Sequence, residues 1–171
     1  PAPGEQPAPR AVRYRDRAIF SDLDQNLLGN QQMLEHFSEV VRENRKCVIF
    51  GIATGRRLDS ALAVIKKHGI PYPDVLISSL GTRIHYGRSL TEDDYWADHI
   101  DHDWNPSRVR RAFSGLHGLK LQPRREQSQF KVSWYYDPEK GPSIDEIIAL
   151  ARQKEITANV QYSFGQFIDF V

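Results

Sequence analysis

Cysteine is almost missing from this chain: Cys47 is the only one in 171 residues. One thiol cannot close an internal disulfide, and its apolar neighbours make Cys47 an expected small core residue. Methionine also occurs once, at Met33. Charge of one sign is lacking too, since 23 Lys and Arg meet 22 Asp and Glu for a net charge of +1. No overall field therefore recruits nucleic acid or an acidic membrane surface. No apolar run approaches the roughly 20 residues that span a bilayer, and no signal peptide is visible. The cytoplasm is the expected compartment. What remains is an ordinary globular composition, 40% hydrophobic and 26% charged, in a length that suits one domain with or without a small insert.

The chain opens with Pro1, Pro3, Pro7 and Pro9 among small and polar residues, a linker composition assigned to residues 1–16. It stops inside an apolar run, Phe167-Ile168-Asp169-Phe170-Val171, and is expected to be a piece of something longer at both ends. Between these, strand and helix signals alternate. Ala18–Ser21 is an apolar run expected as a buried strand. Asn30 is placed to cap a helix over 31–44, with Leu34, Phe37, Val40 and Val41 on one face. Cys47–Ile52 has the continuous apolar character of a strand buried on both faces. A helix over 58–68 carries Leu58, Leu62 and Ile65 and meets a stop at Gly69. Pro71 and Pro73 turn the chain into a strand over Val75–Ser78. This succession predicts an α/β fold, a doubly wound, Rossmann-like parallel sheet with right-handed crossovers.

Beyond it, 82–88 is expected as a hairpin arm and 89–103 as an acidic irregular stretch. Asn105-Pro106 opens a helix with Val109, Phe113 and Leu116 on one side. Phe130, Val132, Trp134 and Tyr136 alternate with Lys131, Ser133 and Tyr135, the pattern of a strand with one buried side. Gly141-Pro142-Ser143 leads into a helix with Ile144, Ile147, Ile148 and Ala151, and strands follow near 158–162 and 166–171. The division expected from this is a core over 17–87, an inserted α+β cap over 88–166, and a return to the core at 167–171.

Chemistry concentrates in Asp22-Leu23-Asp24-Gln25-Asn26, which follows the first strand. In extended backbone, residues two apart point to one side, so Asp22 and Asp24 present two carboxylates to one volume. Their repulsion is relieved by a shared proton or a cation, and Mg²⁺ suits such hard oxygen donors while leaving room for a phosphate. Loops at the carboxyl ends of parallel strands are where open α/β sheets bind ligands. The second such loop, Ala53-Thr54-Gly55-Arg56, offers the Thr54 hydroxyl and the unhindered Gly55 amide to phosphate oxygens. These groups suit an Asp22 nucleophile forming an aspartyl-phosphate, with Asp24 as acid and then base.

Asp22–Gly29, the Ala53–Arg56 loop and Gly81-Thr82-Arg83-Ile84-His85-Tyr86 resemble the haloacid-dehalogenase superfamily. More narrowly, they resemble the sucrose-phosphate phosphatases and the phosphatase-like C-terminal domain of bacterial sucrose-phosphate synthases. Tyr95-Trp96-Ala97-Asp98, Phe130–Tyr135 and Phe164–Asp169 extend the likeness through the insert. The resemblance implies a sugar-phosphate substrate such as sucrose 6-phosphate, Mg²⁺ held by Asp22 and Asp24, and a closing cap. It also implies phosphate binding at Thr54 and Gly55, and substrate contacts from Arg56 and Lys131. Asn26 departs from the threonine usual in the family. The family's phosphate-binding lysine and later metal-binding aspartates would lie after Val171, so this chain alone is expected to bind Mg²⁺ weakly and to hydrolyse little. The proline-rich start resembles a junction after a glycosyltransferase domain. The alternative function is a non-catalytic regulatory or structural module attached to such a glycosyltransferase. A glycosyltransferase metal motif is disfavoured by the Thr54 loop.

Three further features are expected to be ordinary. Asp98-His99-Ile100-Asp101-His102-Asp103 is a solvated segment rather than a metal cluster. Arg108, Arg110 and Arg111, with Arg124 and Arg125, form solvated faces rather than a nucleic-acid footprint. Trp134 and Tyr136 belong to the cap core.

Overall fold

The computed structural model describes residues 17–171; the linker expected over 1–16 lies outside them. β1 (Arg17–Ser21), β2 (Val48–Ala53) and β3 (Val75–Ser78) lie side by side and parallel, with Phe20 opposite Gly51 and Gly51 opposite Val75. α1 (Gln31–Asn44) and α2 (Leu58–His68) supply the crossovers that parallel pairing demands. β4 (Arg83–Tyr86) and β5 (Thr91–Glu92) extend the same sheet antiparallel, because their connections are too short for crossovers. The sheet is therefore mixed, in the order β1-β2-β3-β4-β5.

Local chemistry sets these boundaries. The Asn30 side chain accepts a hydrogen bond from the Met33 N–H and starts α1. Gly69, at φ 66°, ends α2 in the left-handed conformation, and the Ile70 N–H reaches back to the Ile65 carbonyl. Phe50, Ile52 and Leu76 then pack with Leu34, Val41, Ala61 and Ile65. Each of these side chains larger than alanine contributes about 1.5–3 kcal/mol.

A second layer has its own sheet, entirely antiparallel, in the order β6 (Leu119–Leu121), β7 (Val132–Tyr136), β9 (Phe167–Phe170), β8 (Val160–Ser163). α4 (Pro106–Phe113) begins at the Asn105 cap, and α5 (Ile144–Gln153) at a reciprocal capping box between Ser143 and Glu146. Both helices cover one face, where Val109, Phe113 and Ile147 meet Val132, Trp134, Ile168 and Phe170.

Several expectations are corrected. β1 is not buried: it has β2 as its neighbour on one side, and Ile19 and Phe20 are 40% and 48% exposed. Cys47 is exposed, because β2 starts one residue later and leaves the thiol outside the sheet. The acidic 89–103 stretch is partly helical. Asp93 caps α3 (Asp94–Asp101) through the Trp96 N–H and also accepts from the Tyr86 hydroxyl. β5 belongs to the first sheet, although it falls inside the expected cap. Residues 167–171 do not return to the first layer, since β9 is hydrogen-bonded between β7 and β8. Finally, the second face of β7 is not simply solvated: Ser133 and Lys131 are buried there, while Tyr135 is exposed.

Candidate active site

Leu23 and Leu27 are buried in the first core, and the chain between them cannot follow a straight path. It bulges into a wide turn closed by the Leu28 N–H on the Leu23 carbonyl, with Gln25 at φ 61°. The two leucines thereby anchor a loop whose polar residues stay outside. Asp22 sits at the carboxyl end of β1, exposed, with Oδ1 accepting from the Leu23 N–H at 2.7 Å. Its other carboxylate oxygen is left for chemistry.

Asp24 is engaged differently. The Arg56 Nε and Nη2 groups donate to its two carboxylate oxygens, both at 2.7 Å, a bidentate fork. Arg56 Nη1 also donates to Ser60 Oγ, on α2. The fork holds the Asp24 carboxyl below the usual carboxylate range, outweighing the opposite pull of partial burial. Asp24 in turn raises the Arg56 guanidinium, and the nearby charge of Asp22 adds to that effect. Asp22, Asp24 and Arg56 thus form one electrostatic cluster.

Thr54 completes the edge. It is buried at the end of β2, its N–H donating to the Ile77 carbonyl and its hydroxyl accepting from the Arg56 N–H. Gly55 is exposed, and a Cβ there would stand 2.8 Å from Leu80 Cδ2. The absent side chain lets this loop close on the turn after β3. In that turn Ser79, Leu80 and Gly81 all have positive φ, and the Ser79 N–H donates to the Arg56 carbonyl. Three strand ends are thereby stitched into one surface, and backbone strain of this kind gathers where function constrains the chain.

For a divalent cation, the free oxygen of Asp22 is a suitable hard donor. Asp24 is committed to Arg56 through both side-chain oxygens, so its carboxylate reaches a cation only by giving up that fork. Among the described residues no group of three or more His, Cys, Asp or Glu is placed to hold a metal, the Asp98–Asp103 segment included.

Lys131 lies on the second layer, away from the loop cluster in sequence and in sheet. Its Nζ is 3.8 Å from Asp169 Oδ1, and the two side chains are only 11% and 13% exposed. Asp169 also accepts from the Ser133 hydroxyl, its cross-strand partner on β7. The sequence does not join Asp169 to Ser133, because the expected return of 167–171 to the first layer parts them. The available signal was a lone carboxylate in the apolar run Phe-Ile-Asp-Phe. The two layers touch where Arg57 Nη1 donates to the Arg125 carbonyl at 2.6 Å.

This architecture has relatives. The family model for sucrose-6F-phosphate phosphohydrolase matches residues 15–171. A probable sucrose-phosphatase 3b of Arabidopsis thaliana is 29% identical over 171 residues, which are 95% of this chain and 40% of that protein. The mannosylfructose-phosphate phosphatase of Agrobacterium fabrum is 23% identical over 91% of this chain and 63% of its own. Among solved structures, the Synechocystis sucrose-phosphatase in complex with sucrose and phosphate superposes with a TM-score of 0.81 at 29% identity, covering 92% of this chain and 64% of that one. This chain therefore spans less than two thirds of the length of each. Its matched residues and its fold place it in the sucrose-6F-phosphate phosphohydrolase family, within the haloacid-dehalogenase superfamily.

Proposed function

We propose that this chain carries groups of a phosphatase site that cleaves the phosphate monoester of sucrose 6-phosphate or a closely related sugar phosphate. The observation that carries this reading is the exposed Asp22, one carboxylate oxygen free, held beside an Arg56-clamped Asp24 and a buried Thr54. An Asp22 oxygen attacks phosphorus, the bond from phosphorus to the sugar oxygen breaks, and Asp24 gives that oxygen its proton. Asp24, now a carboxylate, draws a proton from water, which attacks the aspartyl-phosphate and frees Asp22 and inorganic phosphate. Thr54 and the Gly55 amide hold the phosphate oxygens. The acid role needs a proton on Asp24, so Arg56 releases it as the ester binds and takes phosphate oxygens as its alternative bidentate partner. Mg²⁺ would be held by the free oxygen of Asp22, the Asp24 side chain being left to carry the proton, and would supply charge neutralisation at the phosphate.

Sugar recognition falls to the second layer. Lys131 and Asp169 set a donor beside an acceptor, the pairing that reads a sugar hydroxyl. Support comes from relatives named for sucrose and mannosylfructose phosphates. The second reading, a phosphatase-like module without turnover that serves an attached glycosyltransferase, is favoured by one observation: Asp24 is fully engaged by Arg56. No helix among the described residues is long and apolar enough to cross a membrane.

The test is Mg²⁺-dependent phosphate release from sucrose 6-phosphate, by this chain and by the chain with its natural downstream sequence. Release lost in Asp22→Asn supports the phosphatase. A folded, extended protein that releases nothing from any sugar phosphate supports the module.

A further inference from the structure

A cleft of about 770 Å³ lies between the two layers; it meets the candidate active site at Ser79 and contains none of Asp22, Asp24, Thr54 and Arg56. Its walls include four arginines: Arg57 ahead of α2, Arg83 on β4, and Arg124 and Arg125 in the short helical turn before β7. Asp59 is the one carboxylate in the lining. With the carboxylates that pair with them, Asp59, Glu92 and Glu126, the four arginines keep one positive charge unbalanced.

The guanidinium groups are unevenly balanced. Arg83 is held by Glu92 at 2.6 Å, Arg57 by Asp59 at 3.2 Å and Arg125 by Glu126 at 3.2 Å. Arg124 has no ion pair among the described residues. Ser128 adds a second observation: it lines the cleft, and its hydroxyl is buried with no hydrogen-bond partner among the described residues. A buried unpaired hydroxyl is unfavourable, so it marks a place where a partner belongs. The remaining lining includes Ser79 and Gln127, neutral groups able to bond hydroxyls and anion oxygens alike.

We propose that this cleft is a second anion site, built for the phosphate group of inorganic phosphate or a sugar phosphate, which binds there without being cleaved. Arg57 and Arg83 belong to the first layer, Arg124 and Arg125 to the second, so one bound phosphate ties the layers together. The Arg57 bond to the Arg125 carbonyl already holds the two walls in register. Arginine forks suit phosphate oxygens, and each lost charge-assisted contact weakens binding about tenfold or more. The proposal extends the phosphatase reading, because the same ligand class is that enzyme's substrate and product, yet binding here requires no turnover.

The experiment is equilibrium binding of inorganic phosphate and of glucose 6-phosphate to the intact chain, without metal, followed by tryptophan fluorescence. Trp104 is a built-in reporter, since its Nε1 donates to the carbonyl of Gln129, a cleft residue. Three proteins are compared: the unaltered chain, the exposed-residue double variant Arg124→Gln/Arg125→Gln, and Thr54→Ala. The expected result is saturable binding that drops about a hundredfold in the double variant and persists in Thr54→Ala. Equal binding by both ligands, with none for glucose, assigns the phosphate group; preference for glucose 6-phosphate assigns the whole sugar phosphate. Binding lost in Thr54→Ala but kept in the double variant overturns the proposal, as does no binding by a protein whose circular dichroism shows it folded. Phosphate release fails or succeeds independently of these outcomes.

Discussion

The two layers solve the same problem of placing polar groups in opposite ways. In the first, Asp22, Thr54 and Ser79 stand on loops beyond the ends of strands, and the apolar strand beneath them, β1, is half open to solvent. In the second, Ser133 and Asp169 stand on the strands themselves, opposite one another across β7 and β9, above a core sealed by two helices. Loop-borne groups can change partners, as Arg56 must if Asp24 is to carry a proton. Strand-borne groups are fixed by register, which suits recognition of a shape rather than a reaction. Under the proposed function, the contrast assigns reaction and recognition to backbones of different stiffness.

The sharpest way to test that contrast is to remove the reacting group. Asp22→Asn is expected to lower phosphate release by the extended chain about ten-thousandfold or more, with the thermal midpoint unchanged. Next come the cores. Phe113→Ala, which empties a site against Phe170 at 4.4 Å between ring centroids, is expected to cost about 3–5 kcal/mol in urea unfolding. Phe20→Ala, on the open strand, is expected to cost under about 1 kcal/mol; comparable losses at both sites would erase the distinction between the layers. On the recognition side, Lys131→Met is expected to raise KM about tenfold for a sugar phosphate, with little change in kcat. A fall in kcat alone would move Lys131 into the reaction.

The smallest effect concerns pH. Asp24 has a carboxyl depressed in the folded state, so its contribution to stability is present above the unfolded value of about 3.9 and is lost as pH falls through the folded one. Arg56→Ala returns Asp24 toward its ordinary value and flattens that acid dependence. Because the pair is more than a third exposed, the change is under about 1 kcal/mol, read as the difference in urea midpoint between neutral and acid solution.

What the sequence made legible follows the same division between near and far. Asn30, Gly69, Asn105-Pro106 and Ser143 act within three or four residues of themselves, and each helix they were expected to begin or end is where the structure has it. Asp22, Asp24 and Thr54 were legible as candidates because strand ends are local too. The misses needed distant partners. β9 looks the same whether it pairs with the first sheet or the second. Arg56 resembles a ligand contact until Asp24, thirty-two residues earlier, is seen to occupy it. The helix over Asp94–Asp101 owes its start to Asp93, which Tyr86 also holds from β4.

Gly51 has a consequence for how sequences with this fold can vary. A Cβ at that position would come within 2.1 Å of the Phe20 ring, which lies across the strand partner beside it. Positions 20 and 51 therefore share one volume: a larger residue at 51 demands that the ring at 20 move or shrink, whereas 20 can shrink alone. In a library randomised at both positions and sorted for folding, the survivors should trade size between the two sites, large with small in either order. A homologous pair that has exchanged them would be a record of two ordered steps, the ring at 20 lost before the side chain at 51 is gained.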